Sequence, residues 1–312
     1  MDNVTHTLVG VVMANAFFRK RIGKPAVPIL ALANNLPDID AAVVLTGDPT
    51  AILMRRTFGH SLLLLPIWVF ILSAILRRFY PQLRWPTVIG LTLLGALVHL
   101  FFDLINSFGV VLFWPWRDWR PELGIVFIID LILTGLLAMP LLLVRLRRFK
   151  ESLIGLSQIS AAMVLLYLAF CGWSRLRAQE IVNAAAGTPV DFSYVFPEPL
   201  GPHRWRGVTR EGKQYRIYLV HPWTAGIDLR EEVVTEVGHP VVEEARRTPL
   251  AHRLEWFFKA PVWNLTEQTA EAIVYDLRFR TLVLPRMTPF IFRFPVGQER
   301  TALPTATPLR SP

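Results

Sequence analysis

Six ionisable residues interrupt stretches that are otherwise apolar: His6, Asp38, Asp40, His60, His99 and Asp103. On insertion scales each costs on the order of 2.5–3.5 kcal/mol at mid-bilayer, so their presence calls for a chemical reason. Imidazole and carboxylate are the groups that bind zinc and similar divalent ions. His99 and Asp103 stand four apart, so a helix carries them on one face where they can grip one ion. Asp38-Ile39-Asp40 follows Pro37, and an extended backbone there aims both carboxylates to one side. Three His and three Asp are enough for two ions about 3.5–4 Å apart with a bridging group. A metal also answers the energetic objection, because it neutralises the carboxylates and keeps the imidazoles neutral. His6, Asp38, His60, His99 and Asp103 are the candidate ligands. Asp40 is a candidate catalytic residue, as general base, bridging group or further ligand. Asp130 sits at similar depth one segment later and suits substrate positioning, while Arg55 and Arg56 are placed to meet an anionic group.

The elements that must position these groups follow from hydropathy. A bilayer span needs roughly 20 apolar residues. Ser152–Ser174, Gly124–Val144, Thr87–Phe102 and Ser61–Leu76 read as four spans. Val4–Phe18 is short, and Pro25–Leu45 is broken by Asn34-Asn35-Leu36-Pro37-Asp38-Ile39-Asp40, so these two are short, broken or re-entrant. The first is not expected to be a cleaved signal peptide, because its basic cluster follows the apolar run instead of preceding it. Eleven basic residues (Arg19, Lys20, Arg21, Lys24, Arg77, Arg78, Arg84, Arg145, Arg147, Arg148 and Lys150) fall on one side and six (Arg55, Arg56, Arg117, Arg120, Arg175 and Arg177) on the other. The positive-inside rule makes the first side cytoplasmic. All six site candidates then lie toward the outer leaflet. His99 and Asp103 come about 18 and 24 Å along their helix from the cytoplasmic end. Taken singly, each has a plain explanation: an interfacial hydrogen bond for His6 or His60, a turn for Asp38 and Asp40. Their convergence on one side does not.

Composition agrees with a membrane chain. The 312 residues are 53% hydrophobic and 18% charged, with a mean hydropathy of +0.39, whereas soluble domains are nearer a quarter charged. The single cysteine, Cys171, excludes a disulfide framework or a Cys-rich zinc module. The net charge of +9 sits largely in short loops between apolar runs, so nucleic-acid binding is not needed to explain it. From about Ser174 the chain becomes rich in Arg, Glu and Pro. Strand-like runs appear at Trp205–Thr209, Tyr215–Val220, Leu254–Lys259, Ala272–Phe279 and Pro289–Pro295. The reading is an α-helical polytopic membrane domain over 1–173, a β-rich extracytoplasmic domain over 174–300 and a disordered tail over 301–312. His203, His221, His239 and His252 read as surface or structural, and Trp114, Trp116 and Trp119 as an interfacial aromatic belt.

The motifs also carry a family resemblance. Met1-Asp2-Asn3-Val4-Thr5-His6-Thr7-Leu8-Val9-Gly10, Ala33-Asn34-Asn35-Leu36-Pro37-Asp38-Ile39-Asp40, Gly59-His60-Ser61-Leu62 and His99-Leu100-Phe101-Phe102-Asp103 with Asn106-Ser107-Phe108-Gly109 resemble, in that order, the bacterial LexA-regulated, inner-membrane-bound metal-dependent hydrolases. The resemblance covers roughly residues 1–170. Trp205-Arg206-Gly207-Val208 and Asp276-Leu277-Arg278-Phe279 resemble the appended domain of longer members. The motif order is more distantly similar to zinc-dependent phospholipase C and the P1-type nucleases, which implies phosphoester chemistry. Gly59 departs from the Thr or other polar residue expected before the histidine, a change that would loosen support for His60.

The resemblance and the residues together lead to an expected function: a metal-dependent, phosphoesterase-like hydrolase of the bacterial inner membrane, multi-pass, with its C-terminal domain periplasmic. It would hold one or two ions, zinc or manganese, and act on a lipid-like or amphiphilic substrate reached from the bilayer. No H-E-x-x-H, G-x-S-x-G or G-x-x-x-x-G-K-[ST] occurs, which sets aside zincin-type proteases, serine lipases of the α/β type and P-loop enzymes. The competing class is a non-enzymatic metal-binding membrane protein, either an ion transporter or a scaffold presenting the C-terminal domain. Nothing in the sequence names a protein partner.

Overall fold

The computed structural model describes residues 1–187, 190–266, 271–283 and 290–295. The chain forms two compact units, one of residues 1–46 and 54–172, the other of 47–53 and 173–312. The expected tail at 301–312 lies outside the described residues.

In the first unit, α1 (Asn3–Met13) is capped by Asp2, whose carboxylate accepts from the Thr5 amide at 3.0 Å and its hydroxyl at 2.7 Å. A π-helical turn over Ala14–Phe18 leads to α2 (Arg19–Ile22). Next comes α3 (Ala26–Ala33), and after a bend of 48° a 3-10 stretch, Leu36–Thr46. Pro37 explains the break, since it has no N–H to continue an α-helix and restricts the residue before it. The Asp38–Asp40 segment is therefore a tight helical stretch and not the extended one expected. The remaining helices are α4 (Leu65–Phe79), α5 (Trp85–Leu104), α6 (Leu131–Leu143) and α7 (Leu153–Ala186), the last running on into the second unit.

Among the described residues two helices, α5 and α7, are long and apolar enough to cross a membrane, and the bent α3 pair makes a third if counted as one span. The spans expected at Ser61–Leu76 and Gly124–Val144 yield α4 and α6, of 15 and 13 residues, short of the usual 17–25. Their missing turns are used elsewhere. Ser61 Oγ donates to the Trp114 carbonyl at 2.7 Å and the Leu62 amide to that of Leu112 at 2.9 Å. Ile125 donates to the Ile105 carbonyl at 2.8 Å, and α6 begins only where Asp130 caps it.

Helices α1 and α5 both pack on α3 at a distance only glycine permits. A methyl group on Gly10 would stand 2.5 Å from the Leu30 carbonyl oxygen, and one on Gly95 2.5 Å from Ala33 Cβ. Gly10 is one turn after His6 and Gly95 one turn before His99, so these contacts fix both imidazoles. Phe70 on α4 and Leu165 and Leu166 on α7 are more than half exposed, as a lipid-facing surface requires.

The second unit holds a four-stranded antiparallel meander, β1 (Phe192–Pro197), β2 (Trp205–Glu211), β3 (Gln214–His221) and β4 (Gly226–Val234), with Val208 opposite Ile217. A second antiparallel sheet contains β5 (Pro261–Thr266), β6 (Glu271–Asp276) and β7 (Phe292–Phe294). Between them in sequence lie α8 (Pro240–Arg246) and α9 (Pro249–Phe257). The strand-like run at Leu254–Lys259 is thus corrected: most of it completes α9. Thr248 caps that helix, Pro249 starts it, and Ala251, Leu254 and Phe257 recur at helical spacing on its buried face. His239 is structural, as expected, capping α8. Of the run Pro289–Pro295, Pro289 lies outside the described residues.

Phe196, Val208, Tyr215, Ile217, Val262 and Leu277 form a core shared by both sheets. Buried ion pairs accompany it. Arg206 donates to Glu198 at 2.7 Å and to the Arg278 carbonyl at 3.0 Å, and Glu198 accepts from the Leu282 amide at 2.9 Å. Asp276 accepts from the amides of Lys259, Ala260 and Arg278. Burial pushes the Arg206 pKa down while the Glu198 carboxylate opposes the shift. The Trp205–Val208 and Asp276–Phe279 motifs are therefore the joint between the two sheets.

Candidate metal centre

Four side chains from three segments converge in the first unit. Asp38 comes from the 3-10 stretch, His60 from the turn before α4, and His99 and Asp103 from one face of α5. Each is buried, and each offers one ligand atom within 4.8 Å of all the others. His60 Nε2 stands 3.1 Å from Asp103 Oδ2 and 3.1 Å from His99 Nε2, and His99 Nε2 is 3.6 Å from Asp103 Oδ2. Atoms bound to a tetrahedral zinc at 2.0–2.2 Å lie about 3.3–3.6 Å apart, so His60, His99 and Asp103 stand close to the spacing of one such ion, with Asp38 within 4.8 Å of them.

The hydrogen bonds behind the imidazoles fix their tautomers. His60 Nδ1 lies 2.8 Å from Asp40 Oδ2, and His99 Nδ1 lies 2.8 Å from the Asn34 carbonyl oxygen. Both partners are acceptors, so each Nδ1 carries a proton, and in the neutral imidazoles each Nε2 turns a lone pair inward. Two lone pairs facing each other at 3.1 Å repel unless an electron-poor centre lies beside them. A proton serves one such pair, whereas a divalent ion serves both nitrogens and the carboxylates. Neither Asp38 oxygen has a hydrogen-bond partner among the described residues, although the Arg55 guanidinium approaches Oδ1 to 3.5 Å. The donor set therefore fits a divalent ion.

The other sequence candidates take distinct places. His6 is buried, with Nε2 3.1 Å from Asp103 Oδ1 and its ring stacked on His99 at 3.8 Å. It stands beside the four-residue group, on the second carboxylate oxygen. Asp40 does not share a point with Asp38. Its Oδ2 is taken by His60 and, at 2.9 Å, by the Thr57 amide, because in a 3-10 turn residues two apart do not project to one side. Arg56 Nε is 2.7 Å from Asp103 Oδ2, Nη1 donates to Asn106 Oδ1 at 2.8 Å, and the guanidinium lies 4.6 Å over the Phe108 ring. These contacts hold Arg56 at φ +57°, a left-handed conformation that costs about 1–2 kcal/mol for a residue with a side chain. Arg55 Nη2 is 3.5 Å from Asp38 Oδ1. Asp130 is placed apart from the group, capping α6 through the Leu133 amide and accepting from Tyr167 Oη at 2.7 Å.

Three contributors were not singled out from the sequence. The Asn34 carbonyl orients His99, and Asn106 holds Arg56. The Met1 amino group contacts Asp103 Oδ1. Asn34 and Asn106 sit inside the quoted motifs, which was the available signal. Gly59 also has a reason of its own: a methyl there would stand 2.1 Å from the Pro37 carbonyl oxygen. Glycine at this position lets the His60 turn close on the Asp38 segment, so it tightens the site instead of loosening it.

A curated relative from Bacillus subtilis (strain 168), "Uncharacterized protein YfhP", is 31% identical over 137 residues, 42% of this chain and 42% of that protein. The similarity thus spans less than half of either chain. No solved structure matches. The model of the YdjM inner membrane protein family matches residues 1–178, a stretch that contains every residue of the buried cluster. By that match the chain belongs to the YdjM inner membrane protein family.

Proposed function

We propose that this protein is a membrane-embedded, metal-dependent hydrolase of phosphoesters in lipid-like or amphiphilic substrates. The observation that carries the reading is the pair of imidazole Nε2 atoms 3.1 Å apart, each with its other nitrogen already committed as a donor. Asp38, His60, His99 and Asp103 would hold the ion, with His6 steadying Asp103 through its other oxygen. Zinc suits the mixed nitrogen and oxygen donors, and manganese is the alternative. When bound, such an ion supplies Lewis-acid polarisation of a phosphoryl oxygen and a water of lowered pKa.

The chain's own groups supply the rest. Asp40 keeps a proton on His60 Nδ1 and so keeps Nε2 a donor of electrons, which makes it an orienting residue more than a general base. The Asn34 carbonyl does the same for His99. Arg56, buried and already facing a carboxylate, receives a phosphoryl oxygen by charge-assisted hydrogen bonds. Arg55 covers Asp38 from the more exposed side. Exposed Val44 and Leu45 on the 3-10 stretch suit a substrate with an apolar tail. Asp130 supports the helix packing and takes no part in the chemistry. The concentration of the acids and imidazoles in one cluster favours chemistry at one place over a transport path.

The test is metal content by elemental mass spectrometry and hydrolysis of phospholipid and aryl phosphoester substrates, on the full chain in detergent. One equivalent of ion, lost together with hydrolysis in His99→Ala/Asp103→Ala while helix content persists, is the expected result. A folded wild type that takes up no divalent ion overturns the reading.

A further inference from the structure

The second unit contains a cleft of ≈ 260 Å³ lined by Arg210, Lys213, Tyr215, Arg246, Glu255 and Trp263, among others. Its charges do not cancel. Glu255 is the acid in the lining, and it is fully engaged: it accepts from Arg246 Nε at 2.7 Å and Nη2 at 3.4 Å, and from the Trp263 indole at 2.9 Å. Arg246 is further tied to Glu243 at 3.0 Å. That leaves Arg210 and Lys213, neither of which has a carboxylate partner among the described residues. The nearby Asp191 carboxylate accepts from the Gly212 amide at 2.8 Å.

Arg210 is the more telling of the two. Its Nε is buried with no hydrogen-bond partner among the described residues. Its Nη1 reaches the Tyr215 hydroxyl only at 3.5 Å, and that hydroxyl donates to the Pro261 carbonyl at 2.9 Å. Among the described residues that long contact is the only hydrogen bond of its guanidinium, which lines the cleft with its charge unpaired. Lys213 has its carbonyl pinned by the Thr235 amide at 2.8 Å, and its ammonium lies against Gly238.

We propose that this cleft binds a phosphate monoester. Two uncompensated cations match a group carrying about −1.5 to −2 charge at neutral pH, whereas a carboxylate would balance one of them. Arginine's planar fork suits phosphate oxygens in pairs. A volume below the roughly 300–1,000 Å³ of drug-sized pockets admits a small head group and little of the body that bears it. The monoester is either a free small molecule or the head group of a lipid.

The experiment uses the full chain stripped of metal with chelator, so that the buried cluster of the first unit does not compete. Calorimetric titration in detergent employs phenyl phosphate, with phenylacetate as the carboxylate control. Phosphatidate-doped against pure phosphatidylcholine nanodiscs test the lipid source. Phenyl phosphate or phosphatidate is expected to bind, with affinity falling about 10-fold or more in Arg210→Gln and in Lys213→Gln, and partly restored in Arg210→Lys. Binding of phenyl phosphate identifies a free monoester, and binding of phosphatidate alone identifies a lipid head group. Absence of both, equal binding of phenylacetate, or unchanged affinity in folded Gln variants overturns the proposal.

Discussion

Replacing Gly59 by alanine is the most direct probe of how the site is assembled. The added methyl would stand 2.1 Å from the Pro37 carbonyl oxygen and 3.0 Å from Ile39 Cγ2. Real Cβ contacts essentially never fall below 3.0 Å, so the His60 turn and the Pro37–Asp38 segment must part by about 0.9 Å. The obstructing atom is backbone, so no side-chain rotation relieves it. Overpacking of this kind costs about 1–3 kcal/mol. The displacement also falls between His60 and Asp38, whose ligand atoms have to meet one ion within about 0.2 Å of ideal distance. Metal affinity is expected to fall about 10–100-fold, the loss typical of disturbing groups that support ligands. Competition titration with a fluorescent zinc chelator reads the affinity, and thermal unfolding with and without added metal reads the stability. Gly135→Ala in α6, where an added methyl meets nothing within 4 Å, is the control and should change stability by no more than about 1 kcal/mol. Should Gly59→Ala hold metal within twofold of wild type and unfold at the same temperature, the close approach of the two segments is irrelevant and the reasoning fails.

Other expectations follow from single contacts. Asp40→Asn removes the charge behind His60 without changing shape, and zinc affinity by the same titration should drop about 10–100-fold with helix content by circular dichroism unchanged. Arg56→Gln should leave metal content at the wild-type level while phosphoester turnover falls about 10-fold or more, because one charge-assisted contact to the substrate is lost; equal loss of metal would make Arg56 purely structural. Arg206→Ala strands Glu198 in the core, and breaking such a pair costs about 3–5 kcal/mol. Hydrogen exchange should accelerate in β2 and β6 of that variant and not in α5.

How much of this was legible in the residues depends on whether a local rule decided it. The pairing of His99 with Asp103 needed only helical periodicity, and the structure joins them on one face of α5 with His60 and Asp38. Placing Asp40 required the backbone of the Pro37 segment. An extended chain would have sent Asp38 and Asp40 the same way, and the 3-10 turn sends Asp40 behind His60 instead. The helices at two of the four expected spans are shorter than the sequence suggested, for a related reason. Hydropathy registers apolar residues whether they extend a helix or line a loop, and residues 61–64 and 124–130 are loops held by backbone hydrogen bonds. In the second unit, Leu254–Lys259 is too short an apolar run for periodicity to separate strand from helix, and the Thr248 cap was the overlooked signal.

The irregular backbone of the first unit and its buried charges account for each other. Backbone groups at membrane depth must be satisfied within the protein, so broken helices persist there only where they line a polar site. Here the breaks surround the cluster. The α3 break frees the Asn34 carbonyl to hold His99. The loop before α4 gives the Thr57 amide to Asp40. The turn after α5 places Asn106 to hold Arg56. A straight α3 would have kept the Asn34 carbonyl inside the helix and left His99 Nδ1 unmatched. Conversely, an apolar residue at His99 or Asp40 would leave those freed backbone groups without partners in a low-dielectric interior. The breaks and the buried cluster therefore stand or fall together: Asp38 and His60 come from the irregular segments and close on His99 and Asp103 of the unbroken α5, while among the described residues α7 adds no member to the group.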